Sequence, residues 1–227
     1  MYSLIDDQAD FIVVDKAAGA SFHSESGDAG LFERVKQDQA VQELYPVHRL
    51  DKMTSGVLVF AKNKGTAQAL GALFEDRQVE KYYVALADKK PKKKQGLIKG
   101  DMASARRGNY KLMTSRDSPA TTQFFSHSVG EGKRLYLLKP TTGKTHQLRV
   151  AMKSIGAPIM GDSRYYPGCP ELDRGYLHAY QMAFSLMGKP YSYQVMPNTG
   201  EYFFSAAVVE CLSAQWASPE QLPWPKL

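Results

Sequence analysis

His48-Arg49-Leu50-Asp51-Lys52-Met53-Thr54-Ser55-Gly56 sets one carboxylate beside Arg49 and Lys52 and just ahead of two hydroxyl residues. A carboxylate is ionised at neutral pH, and nearby cations favour that state, so Asp51 is available to attack or to pair. Thr54-Ser55-Gly56 supplies turn chemistry, and Val57-Leu58-Val59-Phe60-Ala61 reads as a buried strand. The aspartate therefore sits on a loop fixed by a rigid element, where sites are commonly built. A surface Asp–Arg ion pair at a strand entrance fits the same spacing, and the two readings stand side by side at this point.

The elements that must position this loop follow from periodicity. Phe11 to Lys16 is a short β-branched run, and Ser24 to Gly30 is a polar, glycine-containing loop. Leu31, Phe32 and Val35 suit a modest helix, and Ala67, Leu70, Leu73 and Phe74 recur at helical spacing over Thr66 to Asp76. Val79 to Leu86 returns to strand character, and Ala120 to Ser126 and Arg134 to Lys139 form a hairpin around Gly130-Glu131-Gly132. Thr145 or a neighbour caps a helix running to Gly156, with Leu148, Met152 and Ile155 on its apolar side and His146, Arg149 and Lys153 along one basic face. By spacing alone that face is solvated. Tyr176 to Leu186, Tyr191 to Val195 and Tyr202 to Val209 read as strands, and the proline-rich tail from Pro219 as a packed or frayed terminus. Strands outnumber helices and short turns join them, which predicts an α+β fold with a mixed, mostly antiparallel β-sheet flanked by helices and loops.

Composition narrows the partners. The chain has 227 residues, long enough for a substantial core, and 29 Lys plus Arg against 23 Asp plus Glu give a net charge of +6. That balance favours a polyanion. Lys89-Lys90-Pro91-Lys92-Lys93-Lys94, followed by Lys99, Arg106, Arg107, Lys111 and Arg116, reads as an exposed basic hairpin or loop, either a phosphate-binding arm or a solvated charge run. Cys169 and Cys211 have no zinc or redox spacing, no signal-peptide pattern opens the chain, and no long uncharged span follows, so a cytoplasmic protein with no membrane association is expected.

Several catalytic motifs fail. His48-Arg49-Leu50-Asp51 differs from the kinase His-Arg-Asp loop by the inserted Leu50, and no Asp-Phe-Gly follows. Gly143-Lys144-Thr145 ends like a P-loop, yet Leu138 stands where its first glycine belongs. His23-Ser24-Glu25 lacks the paired cysteines of a zinc deaminase. What remains is a metal-free site of one aspartate, tyrosines and basic residues.

Three ordered motifs, His48 to Gly56, Lys81-Tyr82-Tyr83-Val84-Ala85-Leu86 and Gly143-Lys144-Thr145-His146-Gln147-Leu148-Arg149-Val150, closely resemble the RluA family of RNA pseudouridine synthases. Val14-Asp15-Lys16-Ala17-Ala18-Gly19 and Leu177-His178-Ala179 are similar to further family elements. The resemblance implies an enzyme that isomerises a specific uridine to pseudouridine in ribosomal or transfer RNA, without metal or cofactor. One catalytic domain over residues 1–227 is expected, with no separate N-terminal RNA-binding domain, acting as a monomer. By matching position, Asp51 is the catalytic aspartate, attacking either the uracil ring or the ribose anomeric carbon. Tyr83 stacks on the base, and Arg149 is the basic partner of the aspartate. Arg49 helps displace the target base from RNA, Leu177 lines the base pocket, and His48, Thr54 and His146 complete the substrate contacts. Two positions depart from the pattern: Ala17 stands where proline is frequent, and Ala151 where histidine is common. The competing reading is a non-catalytic RNA-binding protein that retains the fold, motivated by the charge, the lysine run and those departures.

Overall fold

The computed structural model describes residues 1–23, 29–91 and 93–227. Most of the expected Ser24 to Gly30 loop, and Lys92 of the basic run, lie outside the described residues. Contacts divide the chain into two compact units, Met1–Glu80 with Ala179–Pro197 and Lys81–His178 with Asn198–Leu227.

The first unit contains β1 (Tyr2–Asp7), β2 (Phe11–Lys16), α1 (Leu31–Asp38), β3 (Tyr45–Pro46), β4 (Ser55–Ala61) and α2 (Lys64–Glu75). After the excursion through the second unit come most of β11 (Leu177–Leu186) and β12 (Lys189–Gln194). The strands lie in the order β1-β2-β4-β11, with β3 against β4 and β12 against β11. Every residue of β2 and β4 is buried, which is why Phe11 to Val14 and Val57 to Ala61 read as unbroken apolar runs rather than alternating ones. One face packs Phe11, Val13, Val57 and Val59 with Met182 and Phe184 of β11 and Leu70 of α2. The Asn63 side chain caps α2 by accepting a hydrogen bond from the Thr66 amide at 2.8 Å.

The second unit contains β5 (Glu80–Ala87), β6 (Gln95–Gly100), β7 (Met102–Ser104), β8 (Tyr110–Leu112), β9 (Ala120–Ser128), β10 (Arg134–Pro140) and α3 (Gln147–Ser154). Its sheet order is β5-β10-β9-β6, and β7 and β8 pair with each other as a separate ribbon. The β9–β10 hairpin turns through Gly130, Glu131 and Gly132, all with positive φ (88°, 49° and 72°), which accounts for the Gly-x-Gly pattern. The tail is packed: the Trp224 ring lies tilted against Phe125 (4.8 Å) and Tyr82 (5.8 Å), and the Gln123 side-chain amide donates to the Pro225 carbonyl. These elements make up the predicted α+β class with a mostly antiparallel sheet.

One predicted strand is absent. Tyr202 to Val209 forms a 3₁₀ turn over Glu201–Phe204 and α4 (Ala206–Glu210). Its aromatic and valine content favours a strand, but tertiary contacts prevail. The Glu201 amide donates to Asp173 at 2.9 Å, the Tyr202 amide to the Tyr176 hydroxyl at 3.3 Å, and Phe203 packs on Tyr176 at 5.1 Å. The first strand, β1, has mostly polar and half-exposed residues and a register shift between Leu4 and Asp6, so no periodicity announces it.

Candidate active site

The loop carrying Asp51 belongs to the first unit and is tied from beneath by a buried ammonium. Lys16, the last residue of β2, is 0% exposed. Its Nζ donates to the carbonyls of Ala17 (3.1 Å), Lys52 (3.1 Å) and Thr54 (2.8 Å). The Lys52 carbonyl also accepts from the Gly19 amide at 2.8 Å, and the Thr54 amide donates to the Asp51 carbonyl at 2.9 Å, closing a tight turn. The backbone on the C-terminal side of the aspartate is thus held by a charge that is itself solvated by three carbonyls. Asp51 is half-buried, Leu50 is buried and Arg49 is exposed.

Gly56 completes the anchor. It adopts φ +109°, and a Cβ there would lie 2.2 Å from the Ala179 carbonyl oxygen, so only glycine lets β4 approach β11 this closely. Thr54 is buried. His48 faces the strand it precedes: its Nε2 accepts a hydrogen bond from the Val59 amide at 3.1 Å, and its ring stacks on Phe74 at 4.7 Å. The accepting Nε2 places the ring proton of the neutral form on Nδ1.

The other motif residues belong to the second unit. On β5, Tyr82 is fully buried and takes the Lys139 ammonium at 5.0 Å from its ring centroid, while Tyr83 is half-buried opposite Leu138 of β10. Strand alternation thereby separates a structural tyrosine from one whose ring is partly accessible. Beside them, Lys81 is half-buried, and burial lowers its pKa from the ordinary lysine value. Leu177 is buried, and its carbonyl accepts from Arg174 Nη2 at 3.1 Å.

The basic helix face is only partly solvated: Lys153 is exposed, whereas Arg149 packs inward. Arg149 is 8% exposed, and its Nε and Nη2 donate to the two carboxylate oxygens of Asp162 at 2.7 and 2.8 Å. Asp162 is itself buried, and its Oδ1 further accepts the amides of Arg164 and Tyr165, both at 3.1 Å. This two-point grip fixes the plane of the guanidinium in a way no lysine could reproduce. The face of Tyr165 lies 5.0 Å from the Arg149 guanidinium carbon, and its hydroxyl is 2.9 Å from His146 Nδ1. Burial raises the Tyr165 pKa.

The entry to α3 also differs from expectation. The residue before the helix is His146, in the left-handed region at φ 57°, and no side-chain cap forms. Gln147 instead ties the helix start to β9: its Oε1 accepts from Thr142 Oγ1 (2.7 Å) and the Lys144 amide (3.0 Å), and its Nε2 donates to the Thr121 carbonyl (3.1 Å) and Thr122 Oγ1 (3.0 Å).

Asp51, Arg49, His48 and Thr54 are gathered in the first unit, and His146 and Arg149 meet around Tyr165 in the second, which also holds Tyr83 and Leu177. Asp162 and Tyr165 escaped motif reasoning. The available signal was charge: Asp162 is the single acidic residue between Glu131 and Glu171, in a stretch rich in bases.

Residues 10–154 match the family described as RNA pseudouridylate synthase. The chain is 44% identical over 211 residues to an uncharacterised RNA pseudouridine synthase of Haemophilus influenzae, covering 93% of this chain and 94% of that protein. It is 32% identical over 183 residues to the ribosomal large subunit pseudouridine synthase C of Vibrio parahaemolyticus, covering 76% of this chain and 58% of the relative. In fold it is similar to human RNA pseudouridylate synthase domain containing 1, with a TM-score of 0.77 at 23% identity, over 100% of this chain and 97% of that one. The match extends from β2 through α3 and holds across almost the whole bacterial relative, and by it this chain belongs to the RluA family of RNA pseudouridine synthases.

Proposed function

We propose that the enzyme converts a specific uridine to pseudouridine within structured ribosomal or transfer RNA, with Asp51 as nucleophile. In the net reaction the C1′–N1 bond breaks, a C1′–C5 bond forms, the C5 hydrogen leaves to solvent as a proton, and the freed N1 takes up a proton from solvent, so the product is an isomer of the substrate. Asp51 adds either to the uracil ring or to the ribose anomeric carbon, splitting a difficult exchange into two easier steps. The target nucleotide is flipped out of its stack at a cost of about a few kcal/mol, and the exposed Arg49 guanidinium fills the space it leaves. Tyr83 stacks on the base, Leu177 lines the pocket, and His48, Thr54 and His146 complete the substrate contacts. Arg149 acts as the cationic partner of the aspartate, and its orientation is set by Asp162.

The observation that carries this reading is the Asp51 loop, whose backbone is held by buried Lys16 and the Gly56 contact while its carboxylate stays only half-buried. A ribosomal target accords with the name of the Vibrio relative. Residues 1–227 act as one catalytic domain, monomeric and cytoplasmic, without metal or organic cofactor. Among the described residues no helix is long and apolar enough to cross a membrane.

Tritium release from RNA labelled at uridine C5, made in a strain lacking the gene, tests the assignment with wild type, Asp51→Asn and Asp51→Ala. Release by wild type alone is expected; equal release by all three removes Asp51 from the mechanism. Fractionating the RNA into ribosomal and transfer pools locates the target, and release from neither pool favours the non-catalytic binder.

A further inference from the structure

The β7–β8 ribbon of the second unit is used by none of the motifs. Its strands pair through only three residue pairs, Met102 with Leu112, Ala103 with Lys111 and Ser104 with Tyr110, too few to be stable alone in water. Residues 102–116 contain Arg106, Arg107, Lys111 and Arg116 and no acidic residue. At the tip the chain doubles back through Arg106–Gly108, with Arg107 at φ 59° and Gly108 at φ 69°, and both arginine side chains are exposed.

The ribbon takes its conformation from the segment that carries Asp162. Arg164 Nη1 donates to the Arg107 carbonyl at 2.9 Å, and the Tyr110 amide donates to the Tyr165 hydroxyl at 3.0 Å. The same hydroxyl meets His146 Nδ1 at 2.9 Å, the Tyr110 ring stands edge-on to His146 at 5.7 Å, and the buried Tyr165 ring faces Arg149. One phenol therefore touches the basic ribbon, the start of α3 and Arg149.

We infer that Tyr165 is a positioning residue that couples the grip of the β7–β8 ribbon on RNA phosphates to the placement of His146 and Arg149. Exposed arginines in an acid-free segment suit phosphodiester oxygens, which they meet through forked hydrogen bonds. The load they take passes along two short strands to the Tyr110 amide. A close-packed interior transmits a shift at that amide to every atom Tyr165 touches. The inference rests on the role proposed for Arg149, and on RNA as the ribbon's partner.

The test is a double-mutant cycle on single-turnover tritium release, with enzyme in excess over labelled total RNA from a strain lacking the gene. The variants are Tyr165→Phe, which removes one oxygen and keeps the ring, the tip pair Arg106→Ala with Arg107→Ala, and their combination. Tyr165→Phe and the tip pair are each expected to slow release about tenfold, and the combination by well under the hundredfold product, since removing the hydroxyl already uncouples the tip. Losses that multiply, or a wild-type rate for Tyr165→Phe, overturn the coupling. Hydrogen exchange at the Tyr110 amide of the wild-type protein gives a second measurement independent of any variant's folding. RNA is expected to slow that exchange, and unchanged exchange overturns the proposal. Arg149→Gln separates the two readings: a wild-type rate there removes the role of Arg149, whereas an inactive Arg149→Gln with multiplying losses leaves that role standing and removes only the coupling.

Discussion

Lys16→Met probes whether the Asp51 loop is held by charge. The substitution keeps the aliphatic stem of a fully buried side chain and deletes an ammonium bonded to three carbonyls at 3.1, 3.1 and 2.8 Å. The Lys52 carbonyl retains the Gly19 amide at 2.8 Å, and the Ala17 carbonyl a long contact from Ala20 at 3.4 Å. The Thr54 carbonyl loses the shortest of the three bonds. Stripping a buried acceptor costs about 1–3 kcal/mol, and weakening the other two adds about 1 kcal/mol, so a loss of about 2–4 kcal/mol is expected. Against a stability of about 5–15 kcal/mol the variant stays folded. Catalysis should suffer more than stability, because Lys52 to Thr54 directly follow Asp51, the proposed nucleophile, and a displacement of about 1 Å can cost about 100-fold in rate. Urea unfolding and tritium release on the same preparation measure both effects. A midpoint unchanged from wild type together with a wild-type rate would refute the claim that Lys16 holds this loop.

Three other outcomes follow from the same geometry. Gly56→Ala should lower the melting temperature by about 6 °C or more, because a Cβ 2.2 Å from the Ala179 oxygen must be relieved by moving backbone, adding about 3 kcal/mol to the strain of its positive φ; a smaller shift would mean that the two strands separate easily. Changing Lys89, Lys90, Lys93 and Lys94, all exposed, to Gln should flatten the salt dependence of RNA binding by up to about 0.7–0.9 in slope per lost phosphate contact; an unchanged slope returns them to solvated charges. Burial lowers the Lys81 pKa, so between that lowered value and the unfolded one the unfolded chain binds more protons and stability rises with pH. The stability difference between wild type and Lys81→Met should therefore shift in favour of wild type as pH climbs toward 10, and a pH-independent difference would contradict the assignment.

What the sequence revealed, and what it hid, divides along physical lines. β2 and β4 were legible because strands buried on both faces are written as continuous apolar runs, and α2 because Ala67, Leu70, Leu73 and Phe74 keep helical spacing. Residues 202–209 misled because their intrinsic preference is for strand, while the contacts that wind them into helical turns come from Asp173 and Tyr176, far back in the chain. Arg149 illustrates the limit for the site. Its motif marks it as functional, but its burial depends on Asp162 thirteen residues later in a turn of no periodicity, and the ordinary reading of its helix face is a solvated one. The tie from Lys16 to the Asp51 loop was equally hidden, since a lysine ending an apolar strand normally signals its exit to solvent.

The Gln147 amide has a further consequence for how the chain reaches this state. β9 lies between β10 and β6, antiparallel to both, and a slip of one residue there would exchange its two faces. The same slip would carry the Thr121 carbonyl and the Thr122 hydroxyl away from the Gln147 donors while Thr142 and Lys144 kept their claim on its oxygen. A misaligned sheet would thus leave a buried amide half-satisfied at the mouth of α3, a penalty that falls on wrong pairings alone. The side chain therefore favours the native register of β9, because only in that register are all its polar atoms satisfied beside the Arg149 helix.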